Sequence, residues 1–589
     1  MKRAAIIIGV NKTGDLPELH DAVQGALLME AWARAQNMHA VHVFTDTKKP
    51  VQIHEIKSVI RDLIQARNIA QLVVYFAGHG INKERNEYWL LSGAPDDPQE
   101  AVNVAGSMAL ATTCGIPHIV LISDACRTAP EGIRAQSVRG SEIFPNREEE
   151  EVPVDVFYAC QLGRPSHEVK DPNVTSAEFS ALYTNELVPA LHGRHGQIVE
   201  WKQVGNKNVG RIHLRPLRDF MSSAVAGRLQ HLKLQTKVIQ VPVARIISDP
   251  PSWISEFSIA AIDGGMGALQ SLRPSLKPPP KTTADLNSDL LHGVLTGGTG
   301  QLSSDMASTR RSGIVGAEAL MDSVGRIFPS FGPTHHETGC GFKIRGSRII
   351  AAHSRRAEFD FPDWETPQGE TLRVTSEIEP GENFLLVFEQ GTGVLLPAIP
   401  DFITALTIED GELVDVAYEP SDNRPQRWKG YAERMEEFRA LRAIASASMA
   451  QGAFRLEGNN VNEVAKRIRH AQGVDPSLAL YAAYGYHDLQ RFDLIRDIRD
   501  AMRSDLGAPL FDVALLSKSL NGTTVGANTQ ILGAVPLLSQ GWALLSAYKV
   551  ALPETLLALQ DDLLPSLWTM FSERGVERVL YAIRSGDIK

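Results

Sequence analysis

Leu72-Val73-Val74-Tyr75-Phe76-Ala77-Gly78-His79-Gly80 and Ile119-Val120-Leu121-Ile122-Ser123-Asp124-Ala125-Cys126-Arg127 are the two stretches that decide the fold. Each is an apolar run that ends on one reactive side chain, His79 in the first and Cys126 in the second. Runs of about 4 to 8 β-branched and aromatic residues read as buried strands, and open parallel sheets carry their chemistry just past the carboxyl ends of such strands. Two neighbouring strands of this kind would bring an imidazole and a thiol together. A cysteine nucleophile needs that arrangement, because the thiolate attacks and a nearby base or cation must generate it. The ordinary alternatives are a buried cysteine acting as a small hydrophobe and a structural histidine. The flanking residues favour the chemical reading: Gly78 and Gly80 leave the backbone beside His79 unobstructed, and Asp124 puts a charge where a plain core strand would avoid one.

Around these runs the sequence alternates in type. Strands are expected over 4–9, 40–45 and 72–76, with helices over 16–35 and 53–67, a pattern that predicts a mostly parallel α/β sheet with helices on both faces. After Cys126, residues 128–153 are rich in Glu and Arg with little periodicity and include Glu148-Glu149-Glu150-Glu151. A charge run of this kind reads first as a solvated surface loop.

With Gly78-His79-Gly80 followed by Asp124-Ala125-Cys126-Arg127, the chain resembles the caspase and metacaspase group of cysteine peptidases, in the prokaryotic form with appended C-terminal domains. Further local matches follow in order. Ala4 to Val10 resembles the group's first strand, Leu19-His20-Asp21-Ala22 the acidic start of its first helix, and Glu87-Tyr88-Trp89-Leu90-Leu91 the strand after the histidine. Phe157-Tyr158-Ala159-Cys160-Gln161 resembles the strand after the nucleophile, and Ser176 to Leu182 the helix that follows. The resemblance covers roughly residues 1–250 and nothing beyond.

The resemblance implies a caspase-like sandwich in which Cys126 attacks the peptide carbonyl and His79 protonates the leaving amine. The backbone N–H groups of Gly80 and Cys126 would hold the oxyanion, and a backbone carbonyl rather than an acid would orient the histidine. True caspases carry Gln-Ala-Cys at the nucleophile and use arginines to hold an aspartate; this chain has Asp124 two residues before Cys126. A carboxylate in a recognition pocket selects Lys or Arg, since a buried charge must be paired and a guanidinium fork fits it bidentately. In metacaspases a second Asp at the start of the first helix lines that pocket, and Asp21 stands in its place. The ordinary reading of Asp21 is a first-turn acid that complements the helix dipole. Caspases are processed in the loop after the nucleophile, so Arg134, Arg139 and Arg147 are candidate processing sites.

Composition sets outer bounds. A chain of 589 residues exceeds what one hydrophobic core usually holds, so two to four domains are expected. A formal net charge of -10, with 22% charged residues, argues against nucleic-acid and membrane-surface binding. The four cysteines Cys114, Cys126, Cys160 and Cys340 lack the close pairs of a zinc site and are too few for a disulfide scaffold, which points to a reducing, cytoplasmic setting. No secretory signal is visible at the start. The most apolar late stretch, 531–552, is interrupted by Ser539, Gln540, Ser546 and Lys549 and reads as a buried helix rather than a membrane span. No metal site is evident, His335-His336 included, and no cofactor is called for; a calcium requirement of the metacaspase type has no visible loop to support it.

Domain boundaries follow composition. Residues 1–262 form the peptidase-like domain, closing with a strand over 240–248. Residues 263–318, dense in Gly, Pro, Ser and Thr, read as a flexible linker in which Arg310 and Arg311 are further candidate processing sites. Alternating patterns broken by Pro380-Gly381, Gly391-Thr392-Gly393 and Asp410-Gly411 predict a small antiparallel β domain over 319–425. Residues 426–589 read as an α-helical domain, with helices over 431–450, 461–471, 476–486, 492–503, 537–548 and 553–571.

The expected function is cleavage of protein substrates after Arg or Lys by a regulated protease of bacterial stress response or antiviral defence. An upstream protease or a regulator bound to the helical domain would activate it. Two alternatives stay open: Asp-specific cleavage on the same scaffold, and a nonproteolytic scaffold acting through the helical domain.

Overall fold

The computed structural model describes residues 2–19, 21–83, 86–125, 137–160, 176–204, 207–231, 242–248, 252–258, 339–361, 371–450, 475–526 and 529–588. They fall into two compact units, Met1–Pro280 and Lys281–Lys589.

The first unit is built on a six-stranded sheet. Its strands are β1 (Lys2–Gly9), β2 (Ala40–Thr45), β3 (Ile69–Gly78), β7 (Ile119–Ala125), β8 (Val154–Tyr158) and β11 (Val243–Arg245), in spatial order β11-β8-β7-β3-β1-β2. Every pairing is parallel except that of β11, which runs antiparallel to β8 at the edge. Seven of the eight residues of β1 and all seven of β7 are buried, which is why these strands read as unbroken apolar runs instead of alternating ones. Between β3 and β7 lies a three-stranded sheet of β4 (Gly80–Lys83), β5 (Asn86–Leu90) and β6 (Ala101–Asn103). Later in the chain, β9 (Val199–Val204), β10 (Lys207–His213) and β12 (Trp253–Ser258) form another.

The helices of this unit are α1 (Ala22–Ala35), α2 (Ile53–Gln65), α3 (Val104–Ala111), α4 (Ser176–Leu191) and α5 (Leu214–His231). In α1 the buried residues Ala22, Ala26, Met29 and Ala33, with Trp32 beside them, recur three and four apart and make one apolar face. That face meets Val73 and Tyr75 of β3, Ile122 of β7 and Leu187 of α4 in one core. Truncating the fully buried Trp32 to Ala would cost about 3–5 kcal/mol. Helix α1 begins at Ala22, not at the expected residue 16. Pro17 is followed by a turn of chain in which Leu19 N–H bonds the Asn11 carbonyl at 2.9 Å, and Asn11 Oδ1 accepts from Val23 N–H at 3.0 Å.

The segment after Cys126 also differs in part from the solvated loop expected over 128–153. Residues 126–136, Arg134 among them, lie outside the described residues. From 137 onward the chain is anchored. Val138, Ile143 and Phe144 are buried, Ser141 exchanges backbone hydrogen bonds with Ala101 and Asn103, and Val152 N–H bonds the Thr112 carbonyl at 2.8 Å. The acidic run Glu148 to Glu151 is exposed, as its charge dictates.

The second unit combines strands and helices. A five-stranded sheet has the order β15-β16-β13-β19-β20, formed by β13 (Gly341–Arg345), β15 (Phe359–Asp360), β16 (Thr371–Val374), β19 (Phe402–Glu409) and β20 (Glu412–Pro420). A three-stranded sheet has the order β14-β17-β18, formed by β14 (Ile349–His353), β17 (Glu382–Phe388) and β18 (Gly393–Ala398). All pairings are antiparallel except β13 with β19. The Asp410-Gly411 turn joins β19 to β20 with φ values of 51° at Asp410 and 83° at Gly411, left-handed conformations that Asp tolerates and Gly accepts without cost.

Helices α6 (Pro425–Ala432), α7 (Met435–Ala450), α8 (Pro476–Asp488), α9 (Phe492–Leu506), α10 (Phe511–Leu516), α11 (Glu554–Leu557) and α12 (Glu573–Ser585) pack with these strands inside the same unit. Tyr431 OH of α6, for example, donates to the buried Glu419 of β20 at 2.9 Å. The helix expected over 461–471 lies outside the described residues. The one expected over 531–552 does not form: only a 3-10 turn, Ser539–Leu544, is present. Leu537 and Leu538 give their N–H groups to the Asp512 carboxylate instead of to carbonyls four residues back. Residues 553–571 hold only the single turn α11 and a 3-10 turn over Ala558–Asp562. The final helix, α12, follows them, with Ser572 as its N-cap and Gly586 in the left-handed region at its end. No helix among the described residues is long and apolar enough to cross a membrane.

Candidate active site

The register of the central pair of strands sets the site. Strands β3 and β7 are hydrogen-bonded neighbours, with Ala77 opposite Asp124 and Gly78 opposite Ala125. The next residue in sequence after each last pair is His79 on one side and Cys126 on the other. Cys126 itself, nominated as nucleophile and as an oxyanion donor, lies outside the described residues. Gly80, the other oxyanion candidate, is buried and opens β4 opposite Trp89.

His79 is held by one backbone carbonyl. Its Nε2 donates to Pro17 O at 2.8 Å, and its own carbonyl accepts from Leu90 N–H at 2.9 Å. With the proton on Nε2, Nδ1 is the nitrogen that can take and return a proton. Burial holds the imidazole below its ordinary pKa, with the Pro17 hydrogen bond opposing that trend. The ring is therefore neutral at neutral pH and able to act as a base. No acid stands behind it in the described contacts, in keeping with the carbonyl orientation the resemblance implies. Nothing in the sequence marks Pro17 for this role, because it acts through its backbone oxygen.

Alternation along β7 sends successive side chains to opposite faces. Ser123 points to one face, where its hydroxyl donates to Glu87 and accepts from Trp89 Nε1 at 3.0 Å; Trp89 in turn stacks on Phe76 with ring centroids 4.9 Å apart. Asp124 points to the other, against α1 and α4. It is 2% exposed. Its Oδ2 accepts from Thr184 Oγ1, which is also 2.6 Å from Tyr75 OH, while Oδ1 has no hydrogen-bond partner among the described residues. Desolvation pushes the carboxyl up to about 8, against the downward pull of the Thr184 hydrogen bonds.

Asp21 is the N-cap residue of α1 and is exposed, yet its side chain makes no cap hydrogen bond. The capping acceptor is Asn11 Oδ1 instead. One turn further on, a Cβ at Gly25 would lie 2.8 Å from Tyr75 OH and 3.5 Å from Thr184 Cγ2. At Gly25 the first turn of α1 therefore rests directly on the groups that hold Asp124.

Of the candidate processing sites, Arg139 and Arg147 are half-buried on the anchored segment, Arg139 with its N–H bonded to the Pro98 carbonyl at 2.9 Å. Arg134, Arg310 and Arg311 lie outside the described residues, as do His335 and His336. Cys160 ends the strand run beyond β8, with Sγ 3.6 Å from the Ala125 carbonyl. Among the described residues no three His, Cys, Asp or Glu side chains gather as a metal site.

Residues 2–207 match the model of the caspase domain family. This chain carries a caspase domain. The matched domain is that of a cysteine peptidase, and further strands and helices follow it. Solved structures similar to it include the initiator caspase Dronc of Drosophila, at 12% identity and a TM-score of 0.26, covering 41% of this chain and 78% of that one. Caspase-1 of Spodoptera frugiperda is similar at 12% identity and a TM-score of 0.27, covering 42% and 86%. No curated protein matches the chain.

Proposed function

We propose that this caspase-domain protein is an endopeptidase that cleaves after Arg or Lys, with Cys126 as nucleophile, His79 as proton carrier and Asp124 as the group that receives the substrate's cation. The observation that carries the specificity is Asp124 Oδ1, a buried carboxylate oxygen without a partner among the described residues, two positions before Cys126. Burial keeps this carboxyl mostly protonated at neutral pH, and a guanidinium or ammonium arriving at Oδ1 stabilises its ionised form. Asp21, exposed at the start of α1, is the second acid we assign to the same cation.

In the proposed cycle the neutral His79 accepts the Cys126 proton through Nδ1, and the thiolate attacks the peptide carbonyl. The oxyanion is held by the N–H groups of Gly80 and Cys126, and His79 then protonates the leaving amine. Water hydrolyses the thioester and restores the enzyme. The role we assign is that of a regulated effector or signalling protease in stress response or antiviral defence. Arg134, Arg139, Arg147, Arg310 and Arg311 are the processing points we propose, and the second unit would serve as the surface for a regulator.

A peptide-library cleavage assay on the wild type and on Cys126→Ala, run with and without calcium, tests this. Cleavage after Arg and Lys that disappears in Cys126→Ala is the expected result. Cleavage after Asp, or activity that survives the substitution, would remove the proposal.

A further inference from the structure

The carboxylate proposed to read the substrate is itself held in place, and that hold comes from residues far away in sequence. Tyr75 of β3, Asp124 of β7 and Thr184 of α4 are at most 2% exposed, and all three are joined by hydrogen bonds. Thr184 has one hydroxyl proton, and it goes to Asp124 Oδ2; the proton shared between Tyr75 and Thr184 therefore comes from the tyrosine. The result is a one-way relay, Tyr75 O–H to Thr184 O–H to Asp124 Oδ2. Tyr75 remains a donor throughout, since burial and the nearby Asp124 raise its pKa well above the ordinary value.

The relay occupies one carboxylate oxygen and leaves the other without a partner among the described residues. A carboxylate tied at Oδ2 is not free to rotate, so Oδ1 points in one direction only. The space around the relay is also closed on the α1 side. Only a residue without a side chain fits at position 25, because a Cβ there would come within 2.8 Å of Tyr75 OH.

Resting on the basic-specificity reading of Asp124, we infer that Thr184 and Tyr75 are the positioning residues that set this enzyme's preference for a cationic side chain, by fixing Asp124 with Oδ1 turned to the substrate. Neither residue touches the substrate. They act on how well the pocket holds it and not on the chemical step at Cys126, so their removal is felt in KM.

The same relay fixes the direction of the pH response. Thr184 donates to the anion and thereby lowers the pKa of Asp124; without it the carboxyl stays protonated to higher pH and binds a cation less well at neutrality.

The test uses the full chain with three substitutions of nearly unchanged shape: Thr184→Val, Thr184→Ser and Tyr75→Phe. KM and kcat are measured on arginyl, lysyl and citrullinyl reporter peptides from pH 5.5 to about 9, the interval over which the relevant groups titrate. Thr184→Val is expected to raise KM for the two basic reporters about tenfold, with kcat nearly unchanged and the acid limb of the KM profile moved to higher pH. Tyr75→Phe is expected to act in the same direction by a smaller factor, and Thr184→Ser to restore wild-type behaviour. A Thr184→Val enzyme whose basic preference and KM profile match the wild type would overturn the inference while leaving the specificity reading intact. A wild type that cleaves the citrullinyl reporter as well as the arginyl one would overturn both. Loss of folding in the valine variant leaves the Tyr75→Phe profile to decide, by the same criteria.

Discussion

Two buried aspartates, one in each unit, show how the same residue type serves opposite ends. Asp512 of the second unit is fully buried and fully used: Oδ1 accepts from Tyr484 OH at 2.5 Å and Leu538 N–H at 3.1 Å, and Oδ2 accepts from Leu537 N–H at 2.6 Å. Asp124 of the first unit is buried almost as deeply, yet only one of its oxygens is engaged. Desolvation raises both carboxyls, Asp512 to about 6 and Asp124 to about 8. The difference follows from the number of donors, since each hydrogen bond to the anion recovers part of the desolvation cost. Asp512 stitches an irregular, apolar stretch of chain to a helix. Asp124 keeps an oxygen in reserve, which makes it costly to the fold and useful to a site.

The largest effect expected from breaking this contrast is on specificity. Asp124→Asn removes the charge and keeps the shape, and kcat/KM for an arginyl reporter should fall about a hundredfold, the scale for deleting one partner of a buried charge pair. Asp512→Asn should leave the ratio of arginyl to neutral cleavage unchanged.

Stability should move the other way. The folded-state pKa of Asp124 is raised, so as pH climbs from about 4 to about 8 the unfolded chain ionises while the folded one resists, and the wild type loses stability across that window. Asp124→Asn escapes this loss. By urea denaturation its first unit should be more stable than the wild type by on the order of a few kcal/mol at pH 8, and no more stable near pH 4. Asp512→Asn replaces an acceptor oxygen by an amide and should cost about 1–3 kcal/mol near pH 4; its carboxyl is raised only to about 6, so the variant regains less at pH 8 than Asp124→Asn does.

A smaller but more diagnostic effect lies in the pH profile. Because burial lowers the His79 pKa, activity on an uncharged reporter should hold to pH values below the ordinary imidazole range. Activity on an arginyl reporter, measured as kcat/KM, should instead keep rising towards about pH 8 as Asp124 ionises. Coincident acid limbs for the two reporters would contradict the separate roles. At the bottom of the scale, breaking the exposed Glu30–Arg34 pair on α1 with Arg34→Ala should change stability by only about 0.3–0.5 kcal/mol in a thermal melt.

What the sequence revealed and what it hid divide along the range of the interactions. The strands ending at His79 and Cys126 were legible because parallel strands buried on both faces cannot avoid long apolar runs. Asp124 stood out as a charge in such a run. Pro17, Thr184 and Tyr75 were silent: one acts through a backbone oxygen, and the other two meet across 109 residues of chain. Asp21 pointed to function only through the family resemblance, and its freedom from capping became visible once Asn11 was found capping α1 in its place. The stretch over 531–552 misled because an apolar, interrupted run fits a buried helix and a buried irregular segment equally well. The Asp512 carboxylate decides between them by claiming two of its backbone N–H groups.

The most direct test of the account is the ratio of kcat/KM for an arginyl reporter to that for its uncharged citrullinyl isostere, measured for the wild type and for Asp124→Asn. The account predicts a large ratio in the wild type that collapses towards one in the variant. A ratio unchanged by the substitution, or near one in the wild type, would contradict it.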